Sequence, residues 1–388
     1  MFEELLENNI RFIKELKLYH PMDSEVSLAV HYLNTERILS VSWIRHSWKS
    51  KLIHSLLKKT HSFESCFYYN SDIDTLWVIR ERSDLITLLD MFIRIYGIPK
   101  IIILQNINMI EGIKWFISQL IKTEKYKIVI VWNNIKIEWV KEIELFPLWI
   151  DIKKRELIQF GGISEVRVVP EISYKQFLLQ ALKHDIVSRD ILESYSIKNI
   201  NLFYQIMTFL SKCDSFQSMR NLHRELAAHS IEISLLTMIE YLSAAINTKL
   251  IYRCYLYDIK QDNVIQSQAI YYFGDVGIKT AFSHSDDILE NLIYLEFMRN
   301  WFVVYGWLSG RFQFSFRAEK NMRVISIAIE KSQDRNEIRK TARKLAKLWD
   351  SSSKFVLIEN KDDLAMRKFE EEGVVIWNLS DFMEILYT

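Results

Sequence analysis

The stretch VSWIRHSWKSKLIHSL, residues 41–56, decides how the first part of this chain folds. An apolar strand end is followed by a short turn, then by Lys49 and Ser50, and then by an amphipathic run of helical spacing. In a phosphate-binding loop the Lys neutralises phosphate charge and the adjacent Ser or Thr hydroxyl holds Mg²⁺. The order of residues therefore predicts a strand, a loop of this kind and a helix.

Two tryptophans, Trp43 and Trp48, stand in this loop where a phosphate site needs glycine. Glycine lets backbone N–H groups wrap a phosphate, because it adopts positive φ without strain. A side chain at position 48 in that conformation costs roughly 1–3 kcal/mol. We therefore expect that the loop no longer holds ATP productively, and that Trp48 is partly buried over the site.

Strands and helices alternate around this loop. The runs IIIL (101–104) and KIVIVW (127–132) are continuously apolar, which is typical of strands buried on both faces of a parallel sheet. Residues 30–180 are thus predicted to form one α/β domain. Gln105 and Asn106 follow the first run, where an ATPase has one acid for Mg²⁺ and another to activate water. Both positions carry neutral amides.

Composition narrows the classes of function. Fifty basic and forty-nine acidic residues give a net charge of +1, so no overall field attracts nucleic acid or an anionic membrane. No apolar run approaches the ~20 residues of a membrane span, and the N-terminus does not read as a signal peptide. We expect a cytoplasmic protein without a metal site. Its histidines lack the spacing of metal ligands. Its three cysteines, Cys66, Cys213 and Cys254, lie far apart in the sequence.

Five segments carry a resemblance to a known family: WIRHSWKSKL (43–52), LQNIN (104–108), VIVWNN (129–134), RVVPEISYKQFLLQ (167–180) and YYFGDVGIKTAF (271–282). The chain resembles the AAA+-type P-loop ATPases of bacteria and archaea that carry a C-terminal domain of unknown function with a restriction-endonuclease-like fold. The resemblance covers nearly the whole chain. The positions that build the fold match, whereas those that perform chemistry do not, so the chain reads as a degenerate member.

The resemblance implies an α/β fold class with three domains. These are an AAA+-like P-loop domain with a leading helix (1–183), a helical winged-helix region (184–283) and a restriction-endonuclease-like α/β domain (284–388). It also implies a vestigial nucleotide site made of Arg45, Lys49, Ser50, Gln105 and Asn106.

The C-terminal domain lacks the residues of a nuclease. Phe312 and Phe314 stand where the family has paired acids on a strand, and Ser326 and Ala328 occupy the next polar pair. Metal-assisted phosphodiester cleavage needs such acids, so we expect no nuclease activity. Asp275, within YYFGDVG, precedes a helical run and is predicted to be an N-cap or turn residue rather than a catalytic acid.

We therefore expect a pseudo-ATPase: a binding or regulatory protein without effective ATP hydrolysis and with no catalytic residue. Its partner is predicted to be another protein or a related active ATPase, and no cofactor is expected. The first alternative is an active ATPase that binds ATP and Mg²⁺ through Lys49 and Ser50.

The second alternative is a winged-helix DNA-binding protein. The helix predicted over 234–248 contains no Lys or Arg, whereas a helix that reads the major groove presents such residues. This favours protein contact. The basic face that DNA binding would use is Arg335, Arg339, Arg343 and Lys347, spaced four residues apart.

Overall fold

The chain divides into two compact units, Met1–Leu145 with Asp185–Ser196, and Phe146–His184 with Ile197–Thr388. The computed structural model describes residues 1–382 except 17–22, 43, 47, 61, 64, 132–139, 146–158, 284–287, 310–311, 332–333, 348–350, 359–368 and 379–381.

A five-stranded parallel sheet forms the centre of the first unit, in the order β2-β3-β4-β1-β5. Its strands are β1 (Ile38–Ser42), β2 (Cys66–Asn70), β3 (Ile101–Gln105), β4 (Lys127–Val131) and β5 (Lys141–Glu144). The side chains of β2 and β3 are buried throughout, as the continuous apolar run of β3 predicts. The predicted parallel α/β sheet is confirmed.

Helices cover this sheet: α1 (Phe2–Glu15), α2 (Asp23–Thr35), α3 (Lys49–Lys59), α4 (Arg82–Tyr96) and α5 (Ile113–Lys122). Apolar residues of α1, α4 and α5 form one core cluster with those of β2, β3 and β4. A capping box between Glu81 and Asp84 begins α4, and Gly97, at φ 86°, ends it where the sequence predicts a helix stop.

Helices begin the second unit. They are α6 (Ser164–Arg167), α7 (Ile172–Asp185), α8 (Ile200–Lys212), α9 (Met219–Ala228) and α10 (Leu235–Asn247), and α7 runs on into a π-helix, Ile186–Leu192. The side chains of Asn199, Ser218 and Ser234 accept a backbone N–H at the starts of α8, α9 and α10. The helix predicted over 234–248 is confirmed by α10.

An eight-stranded mixed sheet follows, in the order β12-β13-β11-β10-β9-β8-β6-β7. Its strands are β6 (Ile251–Asp258), β7 (Asn263–Phe273), β8 (Val303–Ser309), β9 (Phe312–Lys320), β10 (Arg323–Glu330), β11 (Ser353–Ile358), β12 (Phe369–Glu371) and β13 (Val374–Asn378). The helices in this part are α11 (Val276–Ser283), α12 (Leu289–Arg299) and α13 (Arg335–Ala346).

The β6–β7 hairpin belongs to this large sheet, because β6 also pairs with β8 in parallel. The sheet therefore extends across the predicted boundary at residues 283 and 284. Helices and strands alternate in the succession α12, β8, β9, β10, α13, β11, which agrees with the α/β class predicted for residues 284–388. The winged-helix and restriction-endonuclease-like assignments, and the two boundaries between the three predicted domains, stay predictions.

Candidate functional site

The loop that follows β1 lies at the carboxyl end of the parallel sheet. Strand β1 sits between β4 and β5, and the chain then crosses to β2 at the far edge. Ligands of open α/β sheets bind outside the carboxyl ends of strands at such a crossing point. Strand β1 ends at Ser42 and α3 begins at Lys49, so the predicted strand, loop and helix are confirmed. Trp43 and Ser47 lie outside the described residues.

Trp48 is the N-cap of α3, at φ −69°, and only 2% of its surface is exposed. The expected strain of a positive φ at this position is therefore wrong. The left-handed residue is His46 instead, at φ 64°. Because Trp48 is almost wholly buried, and the ammonium of Lys51 lies 4.0 Å from its ring centre, the indole helps to pack the loop.

Arg45 is held by two carboxylates. Its Nη1 donates to both carboxylate oxygens of Asp72 at 2.8 Å, and its Nε and Nη2 contact Asp190 Oδ1 at 2.8 and 2.6 Å. Asp190 is fully buried within the π-helix. Burial by itself lowers the pKa of the Arg45 guanidinium, but the two carboxylates outweigh burial and raise it. Arg45 therefore stays charged and is neutralised from within the protein.

Lys49, the lysine of the loop motif, is buried, with 3% of its surface exposed. Burial lowers the pKa of its amine to about 7, and the positive charge of Arg45 acts in the same direction. The carboxylates of Asp190 and Asp72 oppose this shift only in part. The amine of Lys49 therefore loses its charge more readily than that of an exposed lysine, which weakens its attraction for phosphate.

Ser50 and Gln105 are brought together as the motif predicts, although they are 55 residues apart. The Gln105 Nε2 donates to Ser50 Oγ at 2.9 Å, and the buried Tyr68 hydroxyl donates to Gln105 Oε1 at 2.9 Å. In an active site this is the place where a hydroxyl and a carboxylate meet Mg²⁺. Here a neutral amide binds the hydroxyl directly.

Asn106, at φ 55°, points toward the end of β2. Its Nδ2 donates to the carboxylate of Asp72 and to Asn70 Oδ1, and its main-chain oxygen accepts from the Ser71 hydroxyl. Asparagine tolerates the left-handed region better than most residues. The amide nitrogen and the main-chain oxygen of Asn106 thus link the residue after β3 to the end of β2.

Asp185 makes a second link between the loop and the π-helix segment, through His46 and Arg189. His46 Nε2 lies 2.7 Å from Asp185 Oδ2, and Arg189 Nε lies 2.7 Å from Asp185 Oδ1. Burial raises the pKa of Asp185, but the hydrogen bond and charge of His46, with Arg189 and Arg45, outweigh burial and lower it. The loop is thus linked twice to one segment, Asp185–Asp190.

Sequence reasoning missed Asp72, Asp190 and Tyr68. A signal for Asp72 existed, because it follows the strand-forming run CFYYN, and carboxyl ends of parallel strands meet at one edge of a sheet. Asp190 follows Arg189 and precedes Ile191 in the run IVSRDIL, and that pattern indicates nothing about a partner 145 residues away.

The C-terminal positions assigned to a lost nuclease site are apolar or small. Phe314 is buried and stacks on Trp307 at 4.5 Å, Ala328 is buried, and the buried Ser326 hydroxyl has no hydrogen-bond partner among the described residues. Phe312 lies in β9, but its side chain is outside the described part. The described residues contain no group of three or more His, Cys, Asp or Glu side chains arranged to hold a metal ion.

Asp275 is confirmed as the N-cap of α11. Its Oδ1 accepts the N–H groups of Gly277 and Ile278, and its Oδ2 accepts the N–H of Gly162. Burial raises the pKa of this carboxyl to about 6, although the three N–H groups favour its charged form. Its oxygens are therefore committed to the backbone.

No family model matches the chain. An uncharacterized protein of Methanocaldococcus jannaschii is 23% identical over 339 residues, covering 78% of this chain and 74% of its own length. An uncharacterized protein of Haemophilus influenzae is 21% identical over 349 residues, covering 79% and 86%. Among solved structures, a Walker-type ATPase of Pyrococcus abyssi matches 70% of this chain and 99% of its own, with 11% identity and a TM-score of 0.46. None of the helices in the described part combines the length and apolar character of a membrane-spanning segment.

Proposed function

We propose that this chain is a pseudo-ATPase, a degenerate AAA+-type P-loop protein that acts by binding or regulation rather than by ATP hydrolysis. The observation that carries the proposal is the buried carboxylate of Asp190, which contacts Arg45 and attracts Lys49. In this protein a side chain takes the role that phosphate has in an active loop. A carboxylate of the protein itself therefore balances the positive charge of the loop, and no nucleotide is needed for this.

The cost of opening the site argues against ATP binding. ATP could reach Arg45 only if the contacts of Arg45 with Asp190 were broken. Breaking a buried ion pair costs about 3–5 kcal/mol, and each 1.4 kcal/mol weakens binding tenfold. The affinity for ATP is therefore lowered by about 100-fold or more, and we expect a Kd weaker than ~1 mM.

The metal position argues against hydrolysis. Mg²⁺ is bound in such sites through carboxylates and phosphates, with several retained waters. Gln105 offers one neutral oxygen, which already accepts from Tyr68, and its nitrogen donates to Ser50. Asn106 has no charge with which to activate water. Binding of Mg²⁺ and activation of water thus both lack the carboxylates that they require.

Calorimetric titration with Mg²⁺-ATP tests the proposal. Wild-type protein is expected to show no binding below about 1 mM. The variant Lys49→Ala tests the loop, and Lys58→Ala, an exposed lysine in the last turn of the same helix, is the matched control. Micromolar binding that Lys49→Ala abolishes and Lys58→Ala leaves intact would instead establish the active ATPase.

The proposal includes a restriction-endonuclease-like C-terminal domain without nuclease activity. It is supported by Phe314, Ser326 and Ala328, which provide no carboxylate for a metal ion. Plasmid DNA incubated with the protein and Mn²⁺ is expected to stay supercoiled. Nicking that disappears with EDTA and co-purifies with the protein would contradict this part.

The proposed partner is a protein rather than DNA, and no cofactor is required. On α10, which we assign to a winged-helix region, Leu236 is 68% exposed, and Leu235 and Ile239 are also exposed. Apolar residues at these positions suit a protein surface and offer nothing to base edges or phosphates. We also place the protein in the cytoplasm, because its cysteines are free thiols.

A further inference from the structure

A cavity of about 560 Å³ lies beside the loop, at the carboxyl ends of β2 and β3 within the first unit. Its volume is within the ~300–1,000 Å³ range of small-molecule sites. Buried apolar side chains of Tyr69, Ile79 and Ile110 line it, and so do the exposed side chains of Trp77, Arg80 and Met109. Arg45 and Asn106 also line it, whereas Lys49 and Ser50 do not, so the cavity adjoins the loop on the side away from its lysine and serine.

Trp77 is held outward by the segment that carries it. The residue has φ 51°, a conformation that costs a non-glycine residue about 1–3 kcal/mol, and its side chain is 56% exposed. The buried carboxylate of Asp74 fixes this turn, because it accepts the N–H groups of Val78 and Ile79 at 2.9 and 2.8 Å. Packing of this unit does not explain why a strained backbone at Trp77 exposes an indole to solvent.

Arg80 is positioned next to the indole. Its Nε donates to the main-chain oxygen of Trp77 at 3.2 Å, and its two terminal nitrogens have no partner within the described part of the chain. An arginine anchored through Nε keeps its other N–H groups oriented for a carboxylate or phosphate.

Two of the acids that line the cavity are already paired. Asp72 is paired with Arg45 and lies 3.5 Å from Arg189, and Asp74 accepts backbone N–H groups. Burial raises the pKa of the third acid, Glu193, although the positive charges of Arg45 and Arg189 act in the opposite direction. Arg80 is the basic residue of this lining whose terminal nitrogens have no partner among the described residues.

We propose that this cavity binds a small molecule in which a flat aromatic ring is joined to a carboxylate or phosphate. The ring lies against Trp77 and Met109, and the anion receives the terminal N–H groups of Arg80. Aromatic stacking and a charge-assisted hydrogen bond together define the ligand class. Because Asp72 is both a lining residue and a partner of Arg45, a bound ligand contacts the network that closes the loop.

Calorimetric titration with 2-naphthoate tests the proposal, and 2-naphthylmethylammonium, which has the same ring and the opposite charge, is the comparison probe. We expect naphthoate to bind at least tenfold more tightly than the ammonium compound. Trp77→Ala and Arg80→Gln are each expected to weaken naphthoate binding at least tenfold. Trp77→Phe, which keeps a ring and conserves the fold of the turn, is expected to retain binding within threefold.

Two exposed residues outside the cavity serve as matched controls. Trp115→Ala removes another exposed indole and Arg94→Gln another exposed guanidinium, and both are expected to leave naphthoate binding unchanged. Lys49→Ala is also expected to leave it unchanged, which separates this proposal from the fate of the ATP site. The proposal is overturned by absence of naphthoate binding at millimolar concentration, by equal affinity for the two probes, or by equal losses in the control variants.

Discussion

Replacing Asp190 by Asn removes the buried negative charge that compensates Arg45 and Lys49 while it keeps the shape of the side chain. Asp190 is fully buried, and its Oδ1 contacts two nitrogens of Arg45. The amide oxygen still accepts these hydrogen bonds, but it carries no charge. The folded state then holds two buried basic groups with less opposing charge.

The size of the effect follows from these contacts. Removal of one partner of a buried ion pair costs about 3–5 kcal/mol. Arg45 keeps Asp72, whose side chain is one-third exposed, so we expect the lower end, about 3 kcal/mol. A unit of this size loses roughly 2–4 °C in Tm per kcal/mol, so the expected decrease is about 6–12 °C.

Differential scanning calorimetry is the suitable assay, because two compact units can unfold in separate transitions. The matched control is Asp185→Asn, which neutralises a half-buried carboxylate at the start of the same segment, Asp185–Asp190. Its contacts with His46 and Arg189 are partly exposed, so we expect a loss of at most about 1 kcal/mol.

A double substitution completes the test. Arg45→Leu with Asp190→Leu is expected to be more stable than Asp190→Asn alone, because the guanidinium is removed together with its carboxylate and the buried amine of Lys49 can lose its proton. If Asp190→Asn lowers Tm no more than Asp185→Asn does, the buried carboxylate does not hold the site closed. The central argument for a pseudo-ATPase is then refuted.

Three further predictions concern other residues. Burial lowers the pKa of Lys49 to about 7, below its ordinary value near ~10.4, so the unfolded state binds more protons above pH 7. The free energy of unfolding should therefore rise between pH 7 and 9 by up to ~1.4 kcal/mol per pH unit, and urea titrations of Lys49→Met should lack this rise. Trp48→Gly should not restore ATP hydrolysis in a phosphate-release assay, because Gln105 still supplies no charge for Mg²⁺. Arg339→Ala with Arg343→Ala should leave the salt dependence of duplex DNA binding unchanged in fluorescence anisotropy; a smaller slope would favour the DNA-binding alternative.

Local patterns in the sequence were sufficient to predict several strands and helices of the first unit. Continuous apolar runs predicted β3 and β4, because strands covered on both faces expose no polar side. Gly97, with Pro99 just beyond it, predicted the end of α4, since glycine takes a positive φ without strain and proline cannot continue a helix. The order of Lys49 and Ser50 after a strand predicted the loop and α3.

Local sequence patterns did not lead to a correct prediction of strand β2 or of the loop conformation. Strand β2 was not predicted, although its run CFYYN is rich in strand-forming residues. The backbone conformation of Trp48 was predicted incorrectly, because the turn places its left-handed residue two positions earlier, at His46. A loop conformation depends on which groups its ends contact, and those contacts are distant in sequence.

The sequence by itself determined that a strand, a loop with Lys49 and Ser50, and a helix follow one another, and that amides stand at Gln105 and Asn106. These are properties of side-chain type and spacing. Only the tertiary structure decided that Asp190 compensates Arg45, 145 residues away. The physical reason is that a buried charge is stable only beside an opposite charge, and the fold alone determines which carboxylate lies within 3 Å of the guanidinium.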